Sequence, residues 1–152
     1  MVDKPVVDLD NYREPEQLEV MQQIQKDGVC PFCMDEFTKH QTEETLFDGK
    51  YWLLTYNRWP YKNTKVHLLA IYKEHAEHIL EVEPAAGAEL IEVFQWASTH
   101  FTVPGGGFVM RFGDTNYSAG SVQHLHAQFI QPDIDAATYE PVRVKLGKSR
   151  KE

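Results

Sequence analysis

A chain of 152 residues, 42% hydrophobic and 25% charged, carries enough apolar material for one domain with its own core, and nine Gly and eight Pro are too few to suggest disorder. Its 15 basic and 23 acidic residues leave a net charge of −8, which excludes a general binder of nucleic acid or of membrane surfaces, because both need a positive field. Any anionic substrate has to be met by local donors.

The opening MVDKPVVDLDNYREPEQ is charged and lacks an apolar run, so neither a signal peptide nor a membrane span is expected and the protein reads as cytoplasmic. Residues 1–15 have no strong period and read as an extended lead-in. From Pro15 to Lys26, PEQLEVMQQIQK places Leu18, Met21 and Ile24 at i, i+3 and i+6, with a Pro in the first turn and Gly28 past the end, which predicts a short amphipathic helix on the domain edge. The only two cysteines form Cys30-Pro-Phe-Cys33. In a reducing compartment such a pair is a redox couple or half of a zinc site, and the flanking pattern lacks the βαβ order a redox couple wants. MDEFTKHQTEE after Cys33 is polar and fits a short helix or a loop, with His40 solvated.

Asp48-Gly49 lies between β-prone runs in ETLFDGKYWLLTYN, the short-range signal for a hairpin. The loop NRWPYKNTK leads to Lys65–Tyr72, KVHLLAIY, a mostly apolar run suited to a central strand. Behind Pro84, AAGAELIEVFQWAST has Leu90, Val93, Phe94 and Ala97 at helical spacing and predicts the main helix. Gly105 to Gly107 break the chain, Phe108–Phe112 make the next strand, and Ser121–Ile130 the last. Hairpin, strand, helix, strand, strand is an α+β order: an antiparallel sheet carrying the helix on one face.

The stretch NYSAGSVQHLHAQFIQP, Asn116 to Pro132, holds the densest chemistry. Leu125, Ala127 and Phe129 share one parity and point to a core. His124, His126, Gln128 and Ile130 share the other, with about 6.6 Å between successive same-face positions. A metal or orienting role at His124, attack or proton transfer at His126 and hydrogen bonding at Gln128 would then face one small anionic group. The small-residue turn Ser118-Ala119-Gly120-Ser121 offers amides and hydroxyls to phosphoryl oxygens.

His-Leu-His-Ala-Gln followed by Phe-Ile resembles the motif of the histidine triad (HIT) superfamily, in the variant where Gln replaces the third His. That variant is similar to the branch of galactose-1-phosphate uridylyltransferase and the dinucleoside-polyphosphate phosphorylases. NTKVHLLAIYKEHAEH extends the resemblance over roughly Val29 to Pro132, which divides the chain into an N-terminal extension with a short helix (1–28), a HIT-like domain (29–132) and a C-terminal extension with a basic tail (133–152). The resemblance implies a zinc held by Cys30, Cys33, His75 and His124, a closed set of two thiolates and two imidazoles typical of a structural metal, with His78 as competitor for the third place. His67 stands where many such proteins have a His, and a satisfied core histidine is the expectation for it.

By the same resemblance His126 is the nucleophile. Its imidazole attacks an α-phosphorus to give a covalent nucleotidyl-histidine, with a backbone carbonyl expected to hold the other ring nitrogen and Ser121, the backbone at Gly120 and the Gln128 amide as donors to the phosphoryl oxygens. Arg58, Lys62, Lys65 and Arg111 are the basic residues available to a polyphosphate; Asn116, or Asp114 two residues earlier, falls where the family has an Asn at the substrate. Tyr56, Trp59 and Tyr61 suit either base stacking or packing. A carboxamide cannot titrate, so Gln128 tilts the reading toward transfer to a phosphate-type acceptor. The implied activity is a nucleotidyl transferase or hydrolase acting on a nucleoside phosphate or dinucleoside polyphosphate, in a homodimer. Alternatives are a nucleoside phosphoramidate or dinucleotide hydrolase and a non-catalytic nucleotide-binding zinc module.

Overall fold

The computed structural model describes residues 6–150; the first five residues of the expected lead-in and the last two of the basic tail lie outside them. Helix α1 spans Pro15–Asp27, α2 Met34–His40, the main helix α3 Pro84–His100 and the short α4 Thr115–Ser118. The strands are β1 Thr45–Asp48, β2 Trp52–Tyr56, β3 Thr64–Tyr72, β4 Gly107–Met110 and β5 His126–Pro132. They form one antiparallel sheet in the order β1-β2-β3-β5-β4, the expected α+β architecture.

α1 starts with Pro15, whose missing N–H costs nothing in a first turn, and stops at Gly28, which takes a left-handed φ of 69° so that its amide reaches the Ile24 carbonyl at 2.9 Å. α3 buries Ala86, Leu90, Val93, Phe94 and Ala97 against Trp52, Leu54, Leu68, Ala70, Tyr72, Ala127 and Phe129 of the sheet. Each large side chain there is worth roughly 1.5–3 kcal/mol relative to exposure, and this layer is the principal core. Two polar contacts fix its register. The Trp52 indole N–H donates to Ala86 O at 2.7 Å, and the Glu89 carboxylate accepts from the amides of Lys50, Tyr51 and Trp52 at 2.7, 2.8 and 2.9 Å, holding the β1–β2 turn.

Two expectations need correction. The last strand begins at His126 rather than Ser121, because Val122 pairs instead with Val7 in an isolated bridge and Leu125 exchanges bonds with Tyr72 and Ala76. β4 also ends two residues early, at Met110. Ala127 and Phe129 do face the α3 core, so the expected parity holds within β5 itself. α4 was not expected as a helix; Asp114 caps it by accepting the Asn116 amide at 2.9 Å.

Among the described residues, no helix is long and apolar enough to cross a membrane.

Candidate active site and metal centre

The sheet face turned away from α3 carries the candidate residues His126 and Gln128. Register pairs His126 with Ile71, Gln128 with Leu69, and Leu69 with Thr55, so these side chains emerge on one side. Over them lie the N-terminal segment, α1 and α2, and between the layers is a cavity of about 580 Å³. Its floor includes Thr55, Leu69, His126 and Gln128, and its apolar wall Met21, Ile24, Phe32 and Phe37.

His126 is half-buried in this floor. Its Nδ1 lies 2.7 Å from His124 O, and since a carbonyl can only accept, Nδ1 carries the proton and Nε2 is left with a lone pair. Burial pushes its pKa down to about 4, keeping the ring neutral at physiological pH. The ring of Phe32 meets that of His126 edge-on, at 5.1 Å and 84°.

Gln128 is not free to choose its partners. The Tyr61 amide donates to His67 Nδ1 at 3.0 Å, so His67 Nε2 bears the hydrogen and donates to Gln128 Oε1 at 2.6 Å. Gln128 Nε2 donates to the Tyr61 hydroxyl at 3.0 Å, leaving one amide hydrogen unspent on that bond. His67 is 5% exposed, the buried and hydrogen-bonded histidine expected of it, and burial lowers its pKa to about 4.

Gly120, Ser121, Arg58 and Arg111 line the cavity with His126 and Gln128. The Gly120 amide, however, donates to Ser118 Oγ at 3.0 Å, and its carbonyl accepts from Asn11 Nδ2 at 2.9 Å, so this backbone is engaged within the protein. Ser121 O takes the Asp8 amide at 2.8 Å, leaving its hydroxyl as the polar group at hand. Asp114 and Asn116 are absent from the lining; the Asn116 side chain donates to Asp114 Oδ1 at 2.9 Å, next to the α4 cap.

Sequence reasoning passed over three residues. Arg13 lies with its guanidinium 4.4 Å above the Tyr61 ring and donates to Trp59 O; nothing in the aperiodic lead-in marked it. Asn57, directed at Gln128 Oε1 at 3.4 Å, was indistinguishable from any loop polar residue. Lys145 lines the cavity from the C-terminal segment, and its carbonyl accepts from Arg111 Nε and Nη2 at 3.1 and 2.9 Å. That segment runs along its own chain: Lys148 pairs with Asp8 at 3.4 Å and Asp10 at 3.0 Å.

Beside the cavity, one ligand atom each from Cys30, Cys33, His75 and His124 falls within 4.8 Å of the others. Cys30 Sγ is 3.3 Å from His124 Nδ1, and Cys33 Sγ is 3.4 Å from His75 Nδ1 and 3.8 Å from His124 Nδ1. Metal–sulfur bonds near 2.3 Å and metal–nitrogen bonds near 2.0 Å give a tetrahedron with edges of about 3.4–3.8 Å, so this donor set can hold a metal. The ring orientations agree. His124 Nε2 donates to Tyr72 O at 2.6 Å, aiming the Nδ1 lone pair at the thiols, and His75 Nε2 lies 3.7 Å from the Glu77 carboxylate. His124 is thereby buried, 2% exposed, and the Phe32 ring meets it edge-on at 6.2 Å as it meets that of His126. His78 stands apart: its Nδ1 accepts the Leu80 amide at 3.2 Å and its ring packs on Phe112. Burial, then the Cys30 side chain, push the Cys33 thiol up to about 12.

No family model matches the chain, and no curated protein sequence matches it. Solved structures do. A histidine triad nucleotide-binding protein from Candida albicans superposes with a TM-score of 0.57 at 15% identity, covering 77% of this chain and 86% of that one. A Zn-bound histidine triad family protein from Mycobacterium smegmatis gives 0.55 at 19% identity over 76% and 82%, respectively. The fold is that of the histidine triad proteins. A hypothetical histidine triad nucleotide-binding protein from Sulfolobus tokodaii gives 0.54 at 22% identity, covering 81% of this chain and 82% of its own. Within this histidine triad fold, the sheet face that carries His126 and Gln128 is the one roofed by the N-terminal segments and the Cys30–Cys33 loop.

Proposed function

We propose that the protein is a nucleotidyl transferase or hydrolase that acts on a nucleoside phosphate or dinucleoside polyphosphate through a covalent intermediate on His126. The observation that carries this reading is the 2.7 Å bond from His126 Nδ1 to the His124 carbonyl just ahead of β5, which fixes the tautomer and leaves Nε2 as a lone-pair donor in the cavity floor. In the first step the Nε2 lone pair forms a bond to the α-phosphorus while the bond to the leaving oxygen breaks, its electron pair departing with that oxygen. In the second, an oxygen of water or of a phosphate acceptor takes the phosphorus and the N–P electrons return to Nε2. Ser121 Oγ and the unspent Gln128 amide hydrogen are the donors this reading assigns to the phosphoryl oxygens. Nucleotide-binding proteins among the solved structures with this fold support the ligand class.

Cys30, Cys33, His75 and His124 are the residues that would hold a zinc, whose contribution is to tie the N-terminal loop to the start of β5. This loop carries Phe32, and so a bound metal would also hold the ring that abuts His126. The same reading takes the protein as cytoplasmic and as a homodimer, the pairing of two copies being supported by the edge position of β4 and the exposed Phe108 upon it.

The direct experiment is trapping. Incubation with an α-32P-labelled nucleoside polyphosphate, followed by an alkaline quench, should leave acid-labile label on a peptide containing His126. Label absent from the wild-type protein while turnover proceeds would sink the covalent route.

A further inference from the structure

Two guanidinium groups, one from the lead-in to α1 and one from the residue after β4, meet at one tyrosine in the cavity wall. Arg13 lies 4.4 Å over the Tyr61 ring, and Arg111 Nη1 donates to the Tyr61 hydroxyl at 2.8 Å. No described carboxylate stands within 4.0 Å of either. Cations gathered this way repel each other, and Glu14, the carboxylate whose charge Arg13 feels, is not in ion-pair contact with it. Their hydrogen bonds position rather than saturate them. Arg13 gives one hydrogen bond, to Trp59 O, and the Arg111 fork is braced by Lys145 O and Tyr61, so hydrogens on both guanidiniums remain for a ligand.

The place of this pair relative to His126 sets what it would bind. Gln128, one same-face step of about 6.6 Å along β5 from His126, donates to the very hydroxyl that Arg111 engages. The pair of cations therefore centres on the tyrosine that Gln128 touches, one same-face position along the floor from His126. Lys145 adds a third positive group to the same wall.

We propose that Arg13 and Arg111 form a clamp across Tyr61 for the phosphoryl groups of the substrate beyond the one His126 attacks, making the protein selective for nucleoside di- and polyphosphates over monophosphate esters and amidates. The proposal rests on the nucleotide reading given above and narrows it. It makes Arg13, from the lead-in to α1, a specificity-determining residue. A planar fork suits two phosphate oxygens better than a point charge does, so lysine at position 13 retains only part of the effect.

Calorimetric binding of a purine and a pyrimidine nucleoside 5′-monophosphate and 5′-triphosphate to the wild type, Arg13→Gln and Arg13→Lys tests it. A charged hydrogen bond is worth about 1.5–3 kcal/mol, so the triphosphate should bind the wild type about 10- to 100-fold tighter than the monophosphate. Arg13→Gln should remove most of that gain and leave monophosphate affinity within about twofold, with Arg13→Lys between. Equal weakening of mono- and triphosphate, or a gain that survives Arg13→Gln, overturns the clamp. Failure of every nucleotide to bind the wild type instead overturns the nucleotide reading and the clamp with it. Melting temperatures of the variants separate lost contacts from lost fold, and because Arg13→Lys keeps the charge and the stem, its ratio of the two affinities decides the matter if Arg13→Gln is unstable.

Discussion

His67 Nε2 donates to Gln128 Oε1 at 2.6 Å, so a histidine outside the His124–Gln128 motif fixes which way the motif's carboxamide points. The bond requires His67 neutral, with Nδ1 free to accept the Tyr61 amide. In the unfolded chain its pKa is about 6.5, and burial lowers the folded value to about 4. A depressed folded value means that the unfolded state takes up the proton first. The contribution of His67 is therefore complete above about pH 6.5 and is lost as pH falls toward 4, by at most on the order of 3 kcal/mol. His67→Gln should flatten the fall of melting temperature between pH 7 and 4.5 relative to the wild type; parallel curves would show that His67 does not carry this dependence.

His126→Ala should leave the melting temperature within a few degrees of wild type, because the ring sits in a cavity floor and its ring hydrogen bond is to a carbonyl only two residues back, that of His124. Turnover should drop by about a thousandfold or more, as expected when a covalent nucleophile is removed. Steady-state assay on the purified variant decides, and retained turnover rules His126 out as nucleophile.

Gln128→His places a titratable group where the carboxamide stands, between His67 and Tyr61. Water becomes a better acceptor when a neighbouring group can move a proton, so the ratio of hydrolysis to phosphate transfer should rise several-fold. The products formed with and without added phosphate give that ratio. A ratio unchanged from wild type would contradict the role assigned to the amide.

The purified, untagged protein should contain close to one zinc per chain by elemental analysis. Chelation and Cys30→Ser should each lower the melting temperature, since a metal tying an N-terminal loop to β5 contributes folding free energy. His78→Ala should keep its metal, because that ring caps the Ile79–Glu81 turn and faces Phe112. Zinc lost from His78→Ala but kept in His75→Ala would reassign the ligand.

Sheet and helices were legible because their signals are local: Asp48-Gly49 announces the hairpin, Pro15 and Gly28 bracket α1, and the helical spacing of Leu90, Val93, Phe94 and Ala97 marks α3. The four metal-site residues were likewise placed by the resemblance, and the structure draws them together. Alternation could not show that His124 is buried while His126 opens to the cavity, because the Tyr72 carbonyl and the Cys30 thiol that enclose His124 are both distant in sequence. Arg13 and Lys145 were invisible for the same reason. Each reaches the cavity through contacts with partners far along the chain, and no periodicity announces such a meeting.

The pairing of Lys148 with Asp8 spans 140 positions, and the cavity wall likewise draws on Asp10 and Lys145. During synthesis the hairpin, β3 and α3 can collapse on the Trp52–Leu90 core while the ribosome is still at work, whereas the cavity wall is complete only after residue 148 has emerged. A released chain truncated between β5 and Lys148 would therefore hold a formed sheet with an unfinished cavity, and in refolding the two events should separate in time: protection of the sheet from proteolysis first, closure of the cavity wall last.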